Sequence, residues 1–208
     1  MSATNTTKSA SSKSALMTVP NQLTLARLAL SIVLFAALSL QYYASALVLF
    51  VVAASTDWLD GFLARRYGWV STLGRILDPL ADKIIICGTF IFLLAVPDKV
   101  LANLGLHAWM VALIVGRELL ITALRSFLEQ QGRDFSASMS GKLKMVAQCL
   151  AAALCIGRLA WPTLFGVDTA VPTWFDSLLT TSMWLAAALT VYSGAAYVLV
   201  AVRMIREQ

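Results

Sequence analysis

The chain has 208 residues, 59% of them apolar and only 13% charged, with a net charge of +5. About a quarter of a soluble domain's residues are charged, so this composition excludes an ordinary water-soluble protein and implies a surface that largely faces lipid. The positive balance is then the expected excess of Lys and Arg on the cytosolic flanks of membrane spans and their attraction to anionic headgroups. No nucleic-acid partner is expected, because no basic face sits on a polar fold.

Residues 1–16 are rich in Ser, Thr, Ala and Asn and carry Lys8 and Lys13. That is the composition of a disordered cytosolic tail. Residues 17–208 are expected to form one membrane domain. Arg27 interrupts the sequence after the tail, and the apolar run that follows is long enough to span, which argues against a cleaved signal peptide. Pro20-Asn21-Gln22-Leu23-Thr24 predicts a short amphipathic helix over 20–27 at the membrane interface, capped by Asn21 or Thr24.

Six apolar runs follow, at about 28–42, 44–62, 79–96, 106–127, 142–161 and 178–201. At ~20 residues per span they predict an all-α bundle of six transmembrane helices. Between the second and third runs lies a polar segment, 64–78, with Arg65, Arg66 and Arg75. Pro97-Asp98-Lys99 ends the third run, 129–140 reads as a polar loop, and Trp161-Pro162 closes the fifth. Cys87, Cys149 and Cys155 lie inside apolar runs without metal-ligand spacing and read as small buried hydrophobes. His107 falls in a loop. Tyr42, Tyr43, Trp58, Trp69, Trp109, Trp161 and Trp174 stand where an interfacial aromatic belt is expected.

Of the 16 Lys and Arg residues, 14 fall on the side that holds both termini and the 62–83 and 117–144 regions. Only Lys99 and Arg158 fall on the other side. The positive-inside rule therefore puts both termini in the cytosol.

Four carboxylates stand on that same side. Ionisable groups in spans are costly and mark function. Asp57 and Asp60 are three apart, Asp78 and Asp82 four apart, so each pair shares a helix face. If the two helices pack together, four negative charges converge and require cations. Carboxylates without His or Cys suit hard ions such as Mg²⁺, Mn²⁺ or Ca²⁺. Such ions commonly share their shell with substrate phosphates, and a pair of them can clamp a phosphoryl centre. Gly61 and Gly74 allow close approach of a substrate to the backbone, and Arg65, one turn after Gly61, is suited to a phosphate oxygen. A small cation transporter is the alternative from another class. It predicts carboxylates near mid-membrane and paired broken helices, whereas these stand at span ends and no repeat is visible.

The run Asp57-Trp-Leu-Asp60-Gly61-Phe-Leu-Ala64-Arg65, continued by Gly74, Asp78 and Asp82, resembles the signature of the CDP-alcohol phosphotransferases, with every fixed position present over 26 residues. The resemblance implies that Asp57, Asp60 and Asp78 ligate metal. Asp82 matches the family's fourth aspartate, the base for the acceptor hydroxyl, near or on the metals. Two ions are implied, Mg²⁺ or Mn²⁺. The resemblance assigns Gly61, Ala64, Arg65 and Gly74 to the CDP-lipid, with Ser71 as a further nucleotide contact, and the stretch containing Asn21 and Thr24 to the cytidine pocket. The activity implied is transfer of a phosphatidyl group to an alcohol with release of CMP.

Within that family, Pro20 to Arg27, Asp78-Pro79-Leu80-Ala81-Asp82-Lys83, Arg117-Glu118 to Leu124-Arg125, and Ser140-Gly141-Lys142-Leu143-Lys144 with Gln148 are similar to the bacterial phosphatidylglycerophosphate synthases. Met145 departs from the Thr usual there. This resemblance implies CDP-diacylglycerol as donor, sn-glycerol 3-phosphate as acceptor, a bacterial cytoplasmic membrane and a homodimer. A phosphorylated acceptor needs further cations, and Arg117, Arg125, Lys142 and Lys144 can supply them. Arg117 and Arg125 are eight apart, on one helix face. Lys142 and Lys144 are two apart and cannot both face one spot, so one is expected to snorkel. Glu118 is expected to pair with a nearby Arg. Serine, inositol, inositol phosphate and phosphatidylglycerol stay open as acceptors.

Overall fold

Apolar runs of this length must satisfy their backbone hydrogen bonds internally in lipid, and helices do so within one segment. The computed structural model describes residues 19–67, 72–97, 99–130 and 139–206, with side chains for 22, 24–56, 80–81, 83–97, 99–128, 141 and 143–203. The expected tail 1–16 lies outside the described residues. Every described element is a helix: α1 (Val19–Ser39), α2 (Tyr43–Tyr67), α3 (Thr72–Leu94), the one-turn α4 (Val100–Asn103), α5 (Ala108–Gln130), α6 (Met139–Phe165) and α7 (Thr173–Arg206).

Helix ends differ from apolar-run ends. The interfacial segment expected over 20–27 is the start of α1 and not a separate element. Helix α2 continues to Tyr67 and α3 begins at Thr72, so most of the polar stretch 64–78 is helical. Hydropathy marks where lipid contact ends, whereas Arg and Leu in that stretch are good helix formers. Helix α6 passes Trp161 and includes Pro162. A proline cannot donate to the carbonyl four residues back, and α6 ends within a turn, where the Gly166 N–H bonds the Pro162 carbonyl at 3.1 Å with Gly166 at φ +100°. Helix α1 ends on Gln41 at φ +64°, where the Tyr42 N–H reaches the Ala37 carbonyl at 2.8 Å and the Gln41 N–H the Leu38 carbonyl at 3.1 Å. That is the paired bonding of a left-handed helix stop.

Two helical segments, Leu143–Phe165 and Thr173–Arg203, are long and apolar enough to cross a membrane. Shorter apolar stretches cover Thr24–Ser39, Tyr43–Thr56 and Lys83–Leu94. Large apolar side chains face outward along the bundle, among them Ile32, Val48, Leu119, Leu150, Trp184 and Leu199. Water would penalise such a belt, and lipid would not.

Helix α1 packs on α2 and α3, α6 packs on α2, α3 and α7, and α5 packs on α3 and α7. The core joins Leu34, Phe50, Phe90, Met110, Ile114, Ile156 and Met183. Ala46, Ala53, Ala151, Ala152 and Ala186 are fully buried among them. Small residues let helix backbones approach closely, which is what holds helices together where lipid is as apolar as leucine. Gly88 of α3 faces the Phe35 ring of α1, and a Cβ there would collide with it. The C-terminus of α2 and the N-terminus of α3 are separated by only four residues in sequence, so they stand at one end of the bundle.

Candidate active site

The expected site residues divide by helix. Asp57, Asp60, Gly61, Ala64 and Arg65 lie on the last three turns of α2, and Gly74, Asp78 and Asp82 on the first three turns of α3. Their backbone is continuous helix, so each aspartate pair occupies one helix face at the shared end of the two elements. The side chains of all these residues, and Ser71 altogether, lie outside the described residues. Asn21 and Thr24 are on the first two turns of α1, with the Asn21 side chain likewise outside them. Among the described residues no group of three His, Cys, Asp or Glu gathers, and the four aspartates are not in that set.

Thr24 is buried at 1% exposure. It starts a stripe that runs Thr24, Arg27, Ser31, Leu34 and Leu38, every member buried. The spacing of three and four is one helix face. The stripe is polar toward the aspartate end and apolar toward the other. Arg27, 2% exposed, is in the sequence only an interruption ahead of an apolar run. Its spacing from Thr24 is the signal that it turns inward.

Two of the four basic residues expected on α5 and α6, Arg117 and Lys144, are brought together around a carboxylate. Glu118 of α5 is buried, and the Lys144 ammonium of α6 donates to its Oε1. Arg117 Nη1 donates to Glu118 Oε1 and Oε2 at 3.3 and 3.4 Å. Glu118 therefore pairs with an Arg, as expected, and also with a Lys 26 residues away. Lys144 points inward, 5% exposed; the Lys142 side chain lies outside the described residues. Cys87 of α3 is within electrostatic reach of Glu118, Lys144 and Lys83. The cluster thus borders α3 about 7–8 Å along the helix axis beyond Asp82, at 1.5 Å per residue.

Two buried donors on α5 are unmatched. Arg117 Nε and Arg125 Nε are buried without a hydrogen-bond partner among the described residues. Buried polar groups are nearly always paired, so these N–H groups are suited to a ligand. Arg117 uses Nη1 on Glu118, which leaves its Nε–Nη2 edge. That edge carries two parallel N–H donors, the geometry that grips a carboxylate or phosphate with two bonds. Among the described residues, Arg117 and Lys144 against Glu118 leave a surplus of one positive charge, and Arg125, two turns further along α5, adds another cation. A phosphate monoester carries about −1.5 to −2 at neutral pH.

Helix α7 closes the cluster from the other side. The Arg117 guanidinium lies over the Tyr197 ring, 5.5 Å from its centroid. Deeper in the bundle, Gln148 Nε2 donates to Thr190 Oγ1 at 3.0 Å, while the Thr190 hydroxyl donates to the Ala186 carbonyl at 2.6 Å. That pair fixes the register of α6 against α7. Nothing in the sequence singles out Tyr197, because an aromatic residue in a long apolar helix gives no sign of which helix it meets.

The sequence model of the CDP-alcohol phosphatidyltransferase family matches residues 17–192. The CDP-diacylglycerol--glycerol-3-phosphate 3-phosphatidyltransferase of Bacillus subtilis (strain 168) is 35% identical over 196 residues, covering 86% of this chain and 92% of the relative. The protein of the same name from Escherichia coli (strain K12) is 36% identical over 150 residues, covering 67% of this chain and 77% of the relative.

Proposed function

The chain belongs to the CDP-alcohol phosphatidyltransferase family, and from that premise we propose that it transfers the phosphatidyl group of CDP-diacylglycerol to sn-glycerol 3-phosphate, giving phosphatidylglycerophosphate and CMP. The observation that carries the choice of acceptor is the buried Arg117–Glu118–Lys144 cluster with its unmatched Arg117 donor, together with the buried, unmatched Arg125 Nε two turns further along α5. A neutral or zwitterionic alcohol would leave that surplus of positive charge unanswered. The names of the two relatives support the same acceptor.

The donor set of Asp57, Asp60, Asp78 and Asp82 fits hard divalent ions: four carboxylates, no soft ligand, on helices joined by a short connection. Two Mg²⁺ or Mn²⁺ ions would supply Lewis-acid stabilisation of charge on the diphosphate. The residues of the chain do the rest. Gly61, Ala64, Arg65, Ser71 and Gly74 border the CDP moiety, and Asn21 and Thr24 the cytidine. Arg117, Arg125 and Lys144, with Lys142, bind the acceptor phosphate and hold its hydroxyl against the lipid-linked phosphorus. Orientation of this kind can replace much of an encounter's entropic cost. Asp82 takes the hydroxyl proton. The acceptor oxygen bonds to phosphorus as the bond to the CMP oxygen breaks, and CMP leaves with the electron pair. Its phosphate needs no proton at neutral pH, so one base suffices.

The charge asymmetry of the sequence supports a six-span, multi-pass chain in the bacterial cytoplasmic membrane with both termini and the site cytosolic. Homodimerisation belongs to the same reading, on the family resemblance.

The test is CMP release by the purified protein with CDP-diacylglycerol, Mg²⁺ and each candidate alcohol in turn. Release only with sn-glycerol 3-phosphate is expected, and chelation of divalent ions should abolish it. Release only with serine, inositol, inositol phosphate or phosphatidylglycerol would overturn the acceptor assignment. Asp82→Asn should lose turnover while retaining CDP-lipid binding; substantial activity in that variant would remove Asp82 as the base.

A further inference from the structure

Arg117 is anchored by more than its carboxylate partner. Its guanidinium rests on the Tyr197 ring, and its Cγ passes Gly194, one turn earlier on α7, so closely that a Cβ there would stand 3.3 Å away. The arm therefore crosses α7 at a residue without a side chain and lays its plane on the next aromatic residue along that face. Tyr197 is itself fixed: it is buried and packs with Ile121 and Leu128 of α5 and Ala201 of α7. Gly141 of α6 stands opposite the ring's edge, where a Cβ would lie 3.4 Å from the Tyr197 hydroxyl. Three helices thus hold one ring under one guanidinium. Gly194 and Tyr197 lie beyond the last residue that the family match covers.

We propose that Tyr197, with Gly194, is a positioning residue that seats the Arg117 guanidinium with its Nε–Nη2 edge free, and so sets the affinity for the acceptor's phosphate. This rests on the reading of Arg117 as a ligand of that phosphate. A guanidinium has two faces and three edges. Glu118 occupies Nη1 through bonds of 3.3 and 3.4 Å, too long to define an orientation alone. The ring takes a face, which leaves rotation in the plane of the guanidinium to Glu118 and tilt to Tyr197. With both set, the free edge is presented before the acceptor arrives, and less ordering remains to be done on binding.

The contact with the guanidinium is made by the ring, so the conservative variant, which keeps the ring, separates its loss from other effects of substitution. Tyr197→Leu should raise KM for sn-glycerol 3-phosphate about 3- to 30-fold, the range of a desolvated cation–π contact, with kcat and KM for CDP-diacylglycerol held. Tyr197→Phe should stay within about twofold of the parent on all three. Gly194→Ala should raise the acceptor KM alone, because the arm must shift. If Tyr197→Leu does not fold, Tyr197→Met fills the same space without a ring and carries the same expectation. Equal impairment of the Phe and Leu variants, an unchanged acceptor KM in the Leu or Met variant, or matched rises for donor and acceptor would overturn the proposal. Arg117→Gln tests the underlying reading separately: an unchanged acceptor KM there removes Arg117 as the phosphate ligand whatever Tyr197 does.

Discussion

Among the described residues, ionic contacts tie α6 to its neighbours at both ends of the bundle, and the two ends are built differently. Near the loop between α6 and α7, Arg158 Nε donates to Asp176 Oδ1 at 2.7 Å, with side chains 21% and 29% exposed. It is a one-to-one contact beside the aromatic cluster of Trp161, Phe165 and Phe175. At the other end one buried carboxylate, Glu118, serves both Lys144 and Arg117, and donors are left over. The outer pair balances its charges and joins two helices. The inner cluster is unbalanced among the described residues, and a buried surplus of positive charge is costly unless an anion completes it. The contrast teaches that a salt bridge is read by its remainder: a balanced pair is structural, and an unbalanced one points to a partner still to be named.

Substitutions at the two ends should therefore have effects of different size and kind. Glu118→Leu should be the most damaging, because it strands Lys144 and Arg117 without a counter-charge. A loss of about 3–5 kcal/mol is expected for breaking a buried pair, read as a drop in thermal midpoint and as loss of CMP release. Retention of both would mean the cluster is solvated. Glu118→Gln keeps shape and hydrogen bonding but removes the charge. It should fold and lose less activity than Glu118→Leu, with the change falling on the acceptor KM. A double-mutant cycle on Glu118 and Lys144 should give a larger coupling than one on Arg158 and Asp176; equal couplings would erase the distinction. Asp176→Asn should cost no more than about 1 kcal/mol and leave turnover unchanged. The last change is a gain and leaves kinetics untouched: Gln41→Gly should raise stability by about 1 kcal/mol, by relieving a left-handed residue.

The parts of the site that are local in the chain are legible in the amino-acid sequence alone. Asp57 and Asp60, or Asp78 and Asp82, carry their geometry in their spacing, since three and four residues are one turn. The resemblance to the family signature implies their roles, and their side chains lie outside the described residues. The limit comes with residues two apart, Lys142 and Lys144, where periodicity says only that one must differ from the other. Burial of Lys144 depends on α6 passing Glu118, a partner 26 positions away. The role of Tyr197 is less accessible still, because it depends on Gly194 giving α5 room to come close. Helix ends depart from the expected ones for a related reason: apolar runs report contact with lipid, and α2 and α3 remain helical after that contact ends.

The placement of Glu118 also bears on how the protein is made. Helix α5 is not among the helices apolar enough to cross a membrane by themselves, and it carries Arg117, Glu118 and Arg125. Each such charge at the centre of an inserting helix costs about 2.5–3.5 kcal/mol. Helix α6 follows directly and brings Lys144, which can neutralise Glu118 as the two segments leave the insertion machinery together. A glycosylation-reporter fusion ending after α5 should insert poorly, one ending after α6 should insert well, and Lys144→Ala in the longer fusion should reverse the gain. The residues proposed to bind the acceptor phosphate would then also act as the latch by which a reluctant helix enters the bilayer.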